Sequence, residues 1–175
     1  MKRALWVWQL TGFTVATALG SLLHFLFHWT GAYAFAPISA VNESTWEHMK
    51  ILFFPMLIFA CVQYPFFRQD TPAFWWIKLI GTLVGVLSIP VLFYTLNGAF
   101  GKTPDWLNIL IFFISAGLGY FVEYFLFAKE FALPYAWISI LILLFVAFAF
   151  ILFTFYPPAL PLFQDPLTGK YAIIK

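Results

Sequence analysis

Long apolar runs constrain this chain more than any other feature of its sequence. Runs of about twenty residues with few charges recur along the whole length, and each is long enough to cross a bilayer as a helix. Because the backbone must satisfy its own hydrogen bonds in hydrocarbon, we expect these runs to be helices rather than strands. The sequence therefore predicts an all-α, polytopic membrane protein.

Proline, glycine and capping residues divide the chain into five predicted transmembrane helices, over residues 4–29, 44–67, 72–96, 104–128 and 134–156. Prolines mark three of the predicted starts, because a proline in the first turn loses no hydrogen bond (Pro72, Pro104 and Pro134). Asn97, Gly98 and Gly101 are predicted to break the chain after the third helix. Residues 1–156 then form the transmembrane domain, and residues 157–175 form an extramembrane tail that folds back over the outer face.

Composition excludes several classes of protein. With 63% apolar and 9% charged residues, the chain does not resemble an ordinary soluble domain. Its net charge is only +2, and the sequence has no cluster of basic residues that could bind a phosphate backbone. Nucleic acid is therefore not expected as a partner. Membrane lipids are the expected partners, together with a small hydrophobic ligand if the protein has one. The oligomeric state is left open.

The distribution of Lys and Arg predicts the orientation. The pair at the N-terminus, Lys2 and Arg3, favours a cytoplasmic N-terminus and an external C-terminus. Three further basic residues then fall inside (Arg68, Lys78 and Lys129), and four fall outside (Lys50, Lys102, Lys170 and Lys175). We therefore expect a multi-pass protein of the cytoplasmic (inner) membrane.

One polar stretch, residues 41–50, interrupts the apolar pattern; we call it the polar island. It holds most of the candidate site residues in a few positions: Asn42, Glu43, Ser44, Trp46, Glu47, His48 and Lys50. His24 and His28 precede it at helical i,i+4 spacing, so one ligand could contact both. Glu43 and Glu47 share this spacing if the second helix reaches back to Glu43.

Histidines together with a carboxylate are typical of first-row metal sites. His24, His28 and His48 are the candidate metal ligands, with zinc or iron as the candidate metal. A zinc-bound water could attack a lipid ester or amide, with Glu43 or Glu47 as general base. Further polar residues are predicted to lie near this site at the outer face: Asn42, Ser44, Trp46, Lys50, Asp105 and Asp165.

Structural interpretations of the same residues stay open. Ser44 and Glu47 form the S-x-x-E pattern of a capping box, and Glu43 could simply favour the positive end of the helix dipole. The histidines could be interfacial polar residues. Glu123 should lie toward the opposite face, paired with Lys129 or Lys78 rather than with the polar island.

Two motifs resemble a known family. Residues 41–50 read VNES-x-WEH-x-K and residues 161–171 read PLF-x-DP-x-TG-x-Y, which resembles a small bacterial integral-membrane family of unknown function. The resemblance implies a membrane fold and no particular activity. It gives weight to His24 over His28, and to five residues of the polar island (Asn42, Glu43, Trp46, Glu47 and His48).

Three classes of function compete. The first is a membrane-embedded enzyme, metal-dependent or using acid–base residues alone, that acts on a lipid or another hydrophobic substrate. The second is a small transporter or ligand-binding protein, with Glu123 serving the inner end of its path. The third is a structural or assembly subunit whose polar island binds a partner.

Overall fold

The structure, a computed structural model, describes residues 2–101, 103–129, 131–171 and 173. This described part is all-helical and contains no strand. It forms five long helices: α1 (Lys2–Thr30), α2 (Thr45–Phe67), α3 (Phe74–Phe100), α4 (Asp105–Ala128) and α5 (Ala136–Phe155). All five are long and apolar enough to cross a membrane, which confirms the predicted fold class.

The helices start slightly later than the prolines predict. Pro104 is the N-cap of α4 rather than its first residue. Pro72 lies in a turn closed by a hydrogen bond from the Phe74 N–H to the Thr71 carbonyl, 3.0 Å, and the helix follows that turn. After Pro134, Tyr135 has a left-handed backbone with φ of 57°, which delays the start of α5.

The predicted end of the third helix at residue 96 is wrong, because α3 continues to Phe100 and ends at Gly101, one of the three predicted breaks. The Asn97 side chain donates to the Phe93 carbonyl at 2.8 Å, and its Oδ1 accepts from the Thr103 N–H at 3.0 Å. The backbone reaches a positive φ, 79°, only at Gly101, a conformation that favours glycine.

Helices α1 to α4 form a ring in which each packs on the next, while α5 lies outside against α2 and α3. Small residues allow the closest approach, between α3 and α4. A Cβ on Gly119 would lie 2.8 Å from the Gly81 carbonyl oxygen, so a larger side chain would force the two helices apart.

A buried ion pair joins α3 to α4 in the half of the bundle far from the polar island. The Lys78 Nζ lies 2.5 Å from the Glu123 carboxylate, and both side chains are almost fully buried. Glu123 is therefore paired with Lys78, which is one of the two partners that the sequence predicted for it. Aromatic rings of Phe59, Phe74 and two other residues surround the ammonium at 5.6–5.9 Å.

The other end of the bundle, which we call the site end, is where α1 and α3 finish and α2 and α4 begin. The C-terminal tail lies over it. Phe163 of the tail packs on Trp46 of α2, with ring centroids 4.7 Å apart, and on Phe153 of α5 at 5.5 Å. The tail thus covers the region that contains the polar island; whether it is a separate domain stays a prediction.

Candidate metal centre

His24, Glu43 and His48 converge at the site end. The Glu43 Oε2 lies 3.4 Å from the His24 Nε2 and 3.7 Å from the His48 Nε2. One possible ligand atom from each residue falls within 4.8 Å of the other two. The two imidazole rings lie edge to face, with centroids 5.2 Å apart. Two helices and a loop therefore bring two histidines and one carboxylate together.

A backbone contact orients His48. Its Nδ1 lies 2.9 Å from the Ser44 carbonyl oxygen, to which it donates, so the Nε2 of a neutral ring keeps its lone pair toward Glu43. The His24 Nε2 faces Glu43, while its Nδ1 is buried and has no hydrogen-bond partner among the described residues. Each ring can thus present its Nε2 to a metal ion, in His24 once the proton shared with Glu43 is released.

Glu43 does not lie on α2, because the helix starts at Thr45 and Ser44 is its N-cap. The condition for an i,i+4 pair with Glu47 is therefore not met. Glu43 sits in the preceding loop, where Asn42 Oδ1 accepts from the Ser44 N–H at 2.9 Å and shapes the turn. This loop conformation directs Glu43 toward α1 rather than along the face of α2.

The electrostatics favour an ionised Glu43. A hydrogen bond from His24 lowers the pKa of the Glu43 carboxyl below its ordinary value of 4.5. Partial burial opposes this shift, and the charges of His48 and His24 add to it. The carboxylate is thus anionic at neutral pH, as a metal ligand must be.

The donor set matches what zinc or iron(II) accepts. Imidazole and carboxylate ligands each lie about 2.0–2.2 Å from zinc, so their ligand atoms are separated by roughly 3.3–3.6 Å in a tetrahedral site. The distances from Glu43 to His24 and His48, 3.4 and 3.7 Å, are close to that separation. Three protein ligands would leave one position open for water or substrate.

Glu47 lies apart from this cluster. Its carboxylate forms an ion pair with the Lys50 Nζ at 2.6 Å, and both side chains are buried, at 2% and 0% exposure. It also accepts hydrogen bonds from the Val41 N–H at 3.0 Å and the Thr154 hydroxyl at 3.3 Å. Lys50 in turn donates to the Ala36 carbonyl at 2.9 Å.

The Glu47–Lys50 pair therefore ties the loop before α2 to both α2 and α5. Half of the expected capping box is present, since the Glu47 N–H donates to the Ser44 hydroxyl at 3.4 Å. The other half is replaced, because the Glu47 side chain bonds to Val41 instead of the Ser44 N–H. This places Glu47 and Lys50 among the groups that hold Glu43 in position, and away from the candidate metal ligands.

The remaining predicted residues surround the centre at different distances. His28 is exposed and is not part of the three-residue cluster. Asp105 is exposed in the first turn of α4. Asp165 is buried in the tail, where its Oδ1 accepts from the Leu167 N–H at 2.7 Å, and it lies near enough to His48 for an electrostatic interaction. Trp46 packs the tail onto α2.

Two cavities meet at the centre. The first, about 530 Å³, lies among α1 to α4, and its walls are mainly apolar; we call it the apolar cavity. The second, about 790 Å³, lies under the loop and the tail; we call it the vestibule. His24, Phe25 and Glu43 line both cavities. His48 faces the apolar cavity, whereas His28 and Asp165 line the vestibule.

Two residues that support the centre were not predicted. The Ser39 hydroxyl donates to the Leu23 carbonyl at 2.7 Å and accepts from the Phe27 N–H at 2.9 Å, which fastens the loop to α1 beside His24. Thr154 accepts from Lys50 at 2.7 Å. The signal in the sequence is weak for either residue, since Ser39 is one polar residue in the loop between two spans and Thr154 is one polar residue near the end of an apolar span.

Comparison with known proteins assigns the family. A family profile matches residues 2–173, nearly the whole chain. The chain belongs to DUF6512, a family of unknown function. No curated protein and no solved structure matches it. The predicted membership in a family of unknown function is confirmed, whereas the bacterial origin of this family and its two motifs stay predictions. Membership in DUF6512 supplies no activity, so the function must be argued from the site.

Proposed function

We propose that the chain is a membrane-embedded, metal-dependent enzyme that acts on a lipid or another hydrophobic substrate. His24, Glu43 and His48 would hold zinc or iron(II) at the membrane surface. The observation that carries this proposal is the convergence of these three ligands at the wall of an apolar cavity. A metal ion there would face a space suited to hydrocarbon.

The position along α1 supports a site at the membrane surface. With 29 residues, α1 is about 43 Å long, whereas the hydrocarbon core is about 30 Å thick. About 7 Å would project at each end if the helix were centred in the bilayer. His24 lies about 9 Å from the end of α1 by helix rise, close to the boundary where water and lipid chains meet.

With zinc, the open position would activate a water molecule for attack on an ester or amide. The oxygen of the water would bond to the acyl carbon while a carboxylate takes its proton. The bond from the acyl carbon to the ester oxygen or amide nitrogen would then break, and the carboxylate would return the proton to the departing alcohol or amine. Glu47 is not suited to accept that proton, because it is paired with Lys50. Asp165, which lines the vestibule near His48, is the better placed carboxylate.

Two alternatives have weaker support. The contact between His24 and Glu43 could serve proton transfer without a metal, and metal analysis separates the two cases. A transporter needs a path across the membrane, but Glu123 is buried and paired with Lys78, and both described cavities lie at the site end. The proposal also includes the orientation of the protein in the membrane, with the site end on the outer side.

The test is the metal content of the detergent-purified protein after chelation and reloading with zinc or iron(II). We expect about one ion per chain, lost in His24→Ala, His48→Ala and Glu43→Gln. His28→Ala is the matched control and should keep the ion, because His28 lies outside the cluster. Circular dichroism and a monodisperse elution profile confirm that each variant is folded. Equal metal content in the ligand variants and the control would refute the proposal.

A further inference from the structure

The apolar cavity extends through most of one leaflet. On α4 it is lined from Asp105 to Phe113, which spans about 12 Å by helix rise. On α3 it reaches Ile89, about 16 Å from the end of that helix. With 27 residues, α3 is about 40 Å long and would project about 5 Å beyond the hydrocarbon at each end, so Ile89 lies about 11 Å below the membrane surface. Half of a hydrocarbon core is about 15 Å.

The cavity is bordered by side chains that would contact lipid. Phe25 on α1, and Ile109 and Phe113 on α4, line it and are also exposed on the surface of the bundle. In a bilayer, an exposed apolar side chain at this depth lies against acyl chains. A chain in the leaflet could thus enter between α1 and α4 without passing through water.

The vestibule is suited to a polar group that carries no negative charge. Among the described residues that line it are the carboxylates Glu43 and Asp165 and the histidines His24 and His28, and there is no Lys or Arg. Like charges placed together at a site cost several kcal/mol, so in the metal-free protein a phosphate would be disfavoured beside the two carboxylates. A bound metal ion would offset their charge, so this preference is expected only in the metal-free protein. Asn42, Tyr33 and Thr168 add neutral hydrogen-bonding groups.

We infer that the site binds a neutral acyl lipid, with its chain in the apolar cavity and its uncharged head group in the vestibule. His24 and Glu43, which line both cavities, then lie beside the ester or amide that joins the two parts. The turn of the tail lies at the same junction, because Asp165 lines the vestibule while Pro166 and Leu167 line the apolar cavity. This inference names the substrate class of the proposed enzyme and rests on that proposal for the reaction alone.

The probes are a photoreactive palmitoyl monoglyceride and the matching palmitoyl lysophosphatidic acid, which differ by one phosphate. Each is added to the full chain in phosphatidylcholine vesicles, with and without bound zinc, and the labelled peptides are identified by mass spectrometry. We expect the monoglyceride to label residues 20–25 and 109–113. In the metal-free protein, the phosphate-bearing probe should label them about tenfold less, which corresponds to about 1.4 kcal/mol.

A pair of variants tests the position of the chain. Ser21 lines the apolar cavity, so Ser21→Phe should fill it and reduce labelling by about tenfold or more. The neighbouring Leu22 is exposed and is not among the residues that line either cavity, so Leu22→Phe should leave labelling unchanged. Neither substitution changes a candidate metal ligand, and circular dichroism with a monodisperse elution profile confirms that both variants are folded.

Each outcome decides one of the two proposals. Equal labelling of the metal-free protein by the two probes, or labelling that Ser21→Phe does not reduce, overturns the inference. Metal binding without labelling also overturns it, while the metal centre stands. Specific labelling of a chain that binds no metal supports the lipid site and refutes the metal-dependent function.

Discussion

Glu43 and Glu47 are four residues apart in sequence, but the structure predicts opposite consequences when each is changed to glutamine. Glu47→Gln keeps the size of the side chain and an oxygen for the Val41 N–H, but it removes the charge 2.6 Å from Lys50. Because Lys50 has no exposure, its ammonium would remain buried without a counter-charge. Breaking such a pair costs about 3–5 kcal/mol in the free energy of unfolding.

Glu43→Gln should be mild for stability, because the side chain is 41% exposed and its partners are histidines. Ion pairs with that exposure contribute about 0–1 kcal/mol. The assay is reversible unfolding in mixed micelles, followed by tryptophan fluorescence. The two variants should rank in the reverse order for metal binding. Glu43→Gln should lose the ion, whereas Glu47→Gln should only lower the affinity for it, because the loop that carries Glu43 becomes less rigid.

A second substitution is the control for Glu47→Gln. Adding Lys50→Met removes the stranded charge, so the double variant should recover part of the lost stability, with a coupling of about 0.5–3 kcal/mol. Our interpretation of this pair is refuted if the free energies of unfolding of Glu47→Gln and the native protein differ by less than about 1 kcal/mol. It is also refuted if Glu43→Gln is the more destabilising of the two.

Three further predictions follow from the packing and the charges. Glu123→Gln leaves Lys78 buried without a counter-charge, so unfolding measurements should show a loss of about 3–5 kcal/mol; a loss below about 1 kcal/mol would contradict it. Gly81→Leu forces side-chain atoms against Gly119, so it should lower the free energy of unfolding by about 1–3 kcal/mol or more, or prevent folding. Native-like thermal stability would contradict the close contact between the two helices. In the metal-free protein, the lowered pKa of Glu43 stabilises the fold above pH 4.5, and this contribution is lost as the pH falls through the lowered pKa. The stability difference between native protein and Glu43→Gln should therefore shrink in acid; a constant difference would contradict it.

The fold was largely predictable because membrane helices follow simple rules. Apolar runs of sufficient length indicated all five spans, and Ser44 marked the start of α2 to within one residue. The error at the end of α3 has a local cause. Asn97 and Gly98 are typical of a turn, yet both stay in the helix, and the chain leaves it only at Gly101, where the backbone takes a positive φ.

The candidate site was predictable in its residues but not in its pairing. The sequence predicted His24 and His48 as metal ligands together with a carboxylate, but helical spacing added His28 and did not distinguish Glu43 from Glu47. The structure groups His24 and His48 with Glu43. The difference arises in residues 31–44, an irregular loop whose path depends on buried contacts such as those of Ser39 and Glu47. Periodicity carries no information about such a path.

The most direct test of the metal centre is X-ray absorption at the metal edge on the purified, reconstituted protein. We predict one ion per chain, bound by two imidazole nitrogens and a carboxylate oxygen at about 2.0–2.2 Å, with a remaining light-atom ligand from water. In Glu43→Gln this first coordination shell should be lost. No bound ion after loading, or a spectrum that shows no histidine ligands, would contradict the assignment of His24, Glu43 and His48.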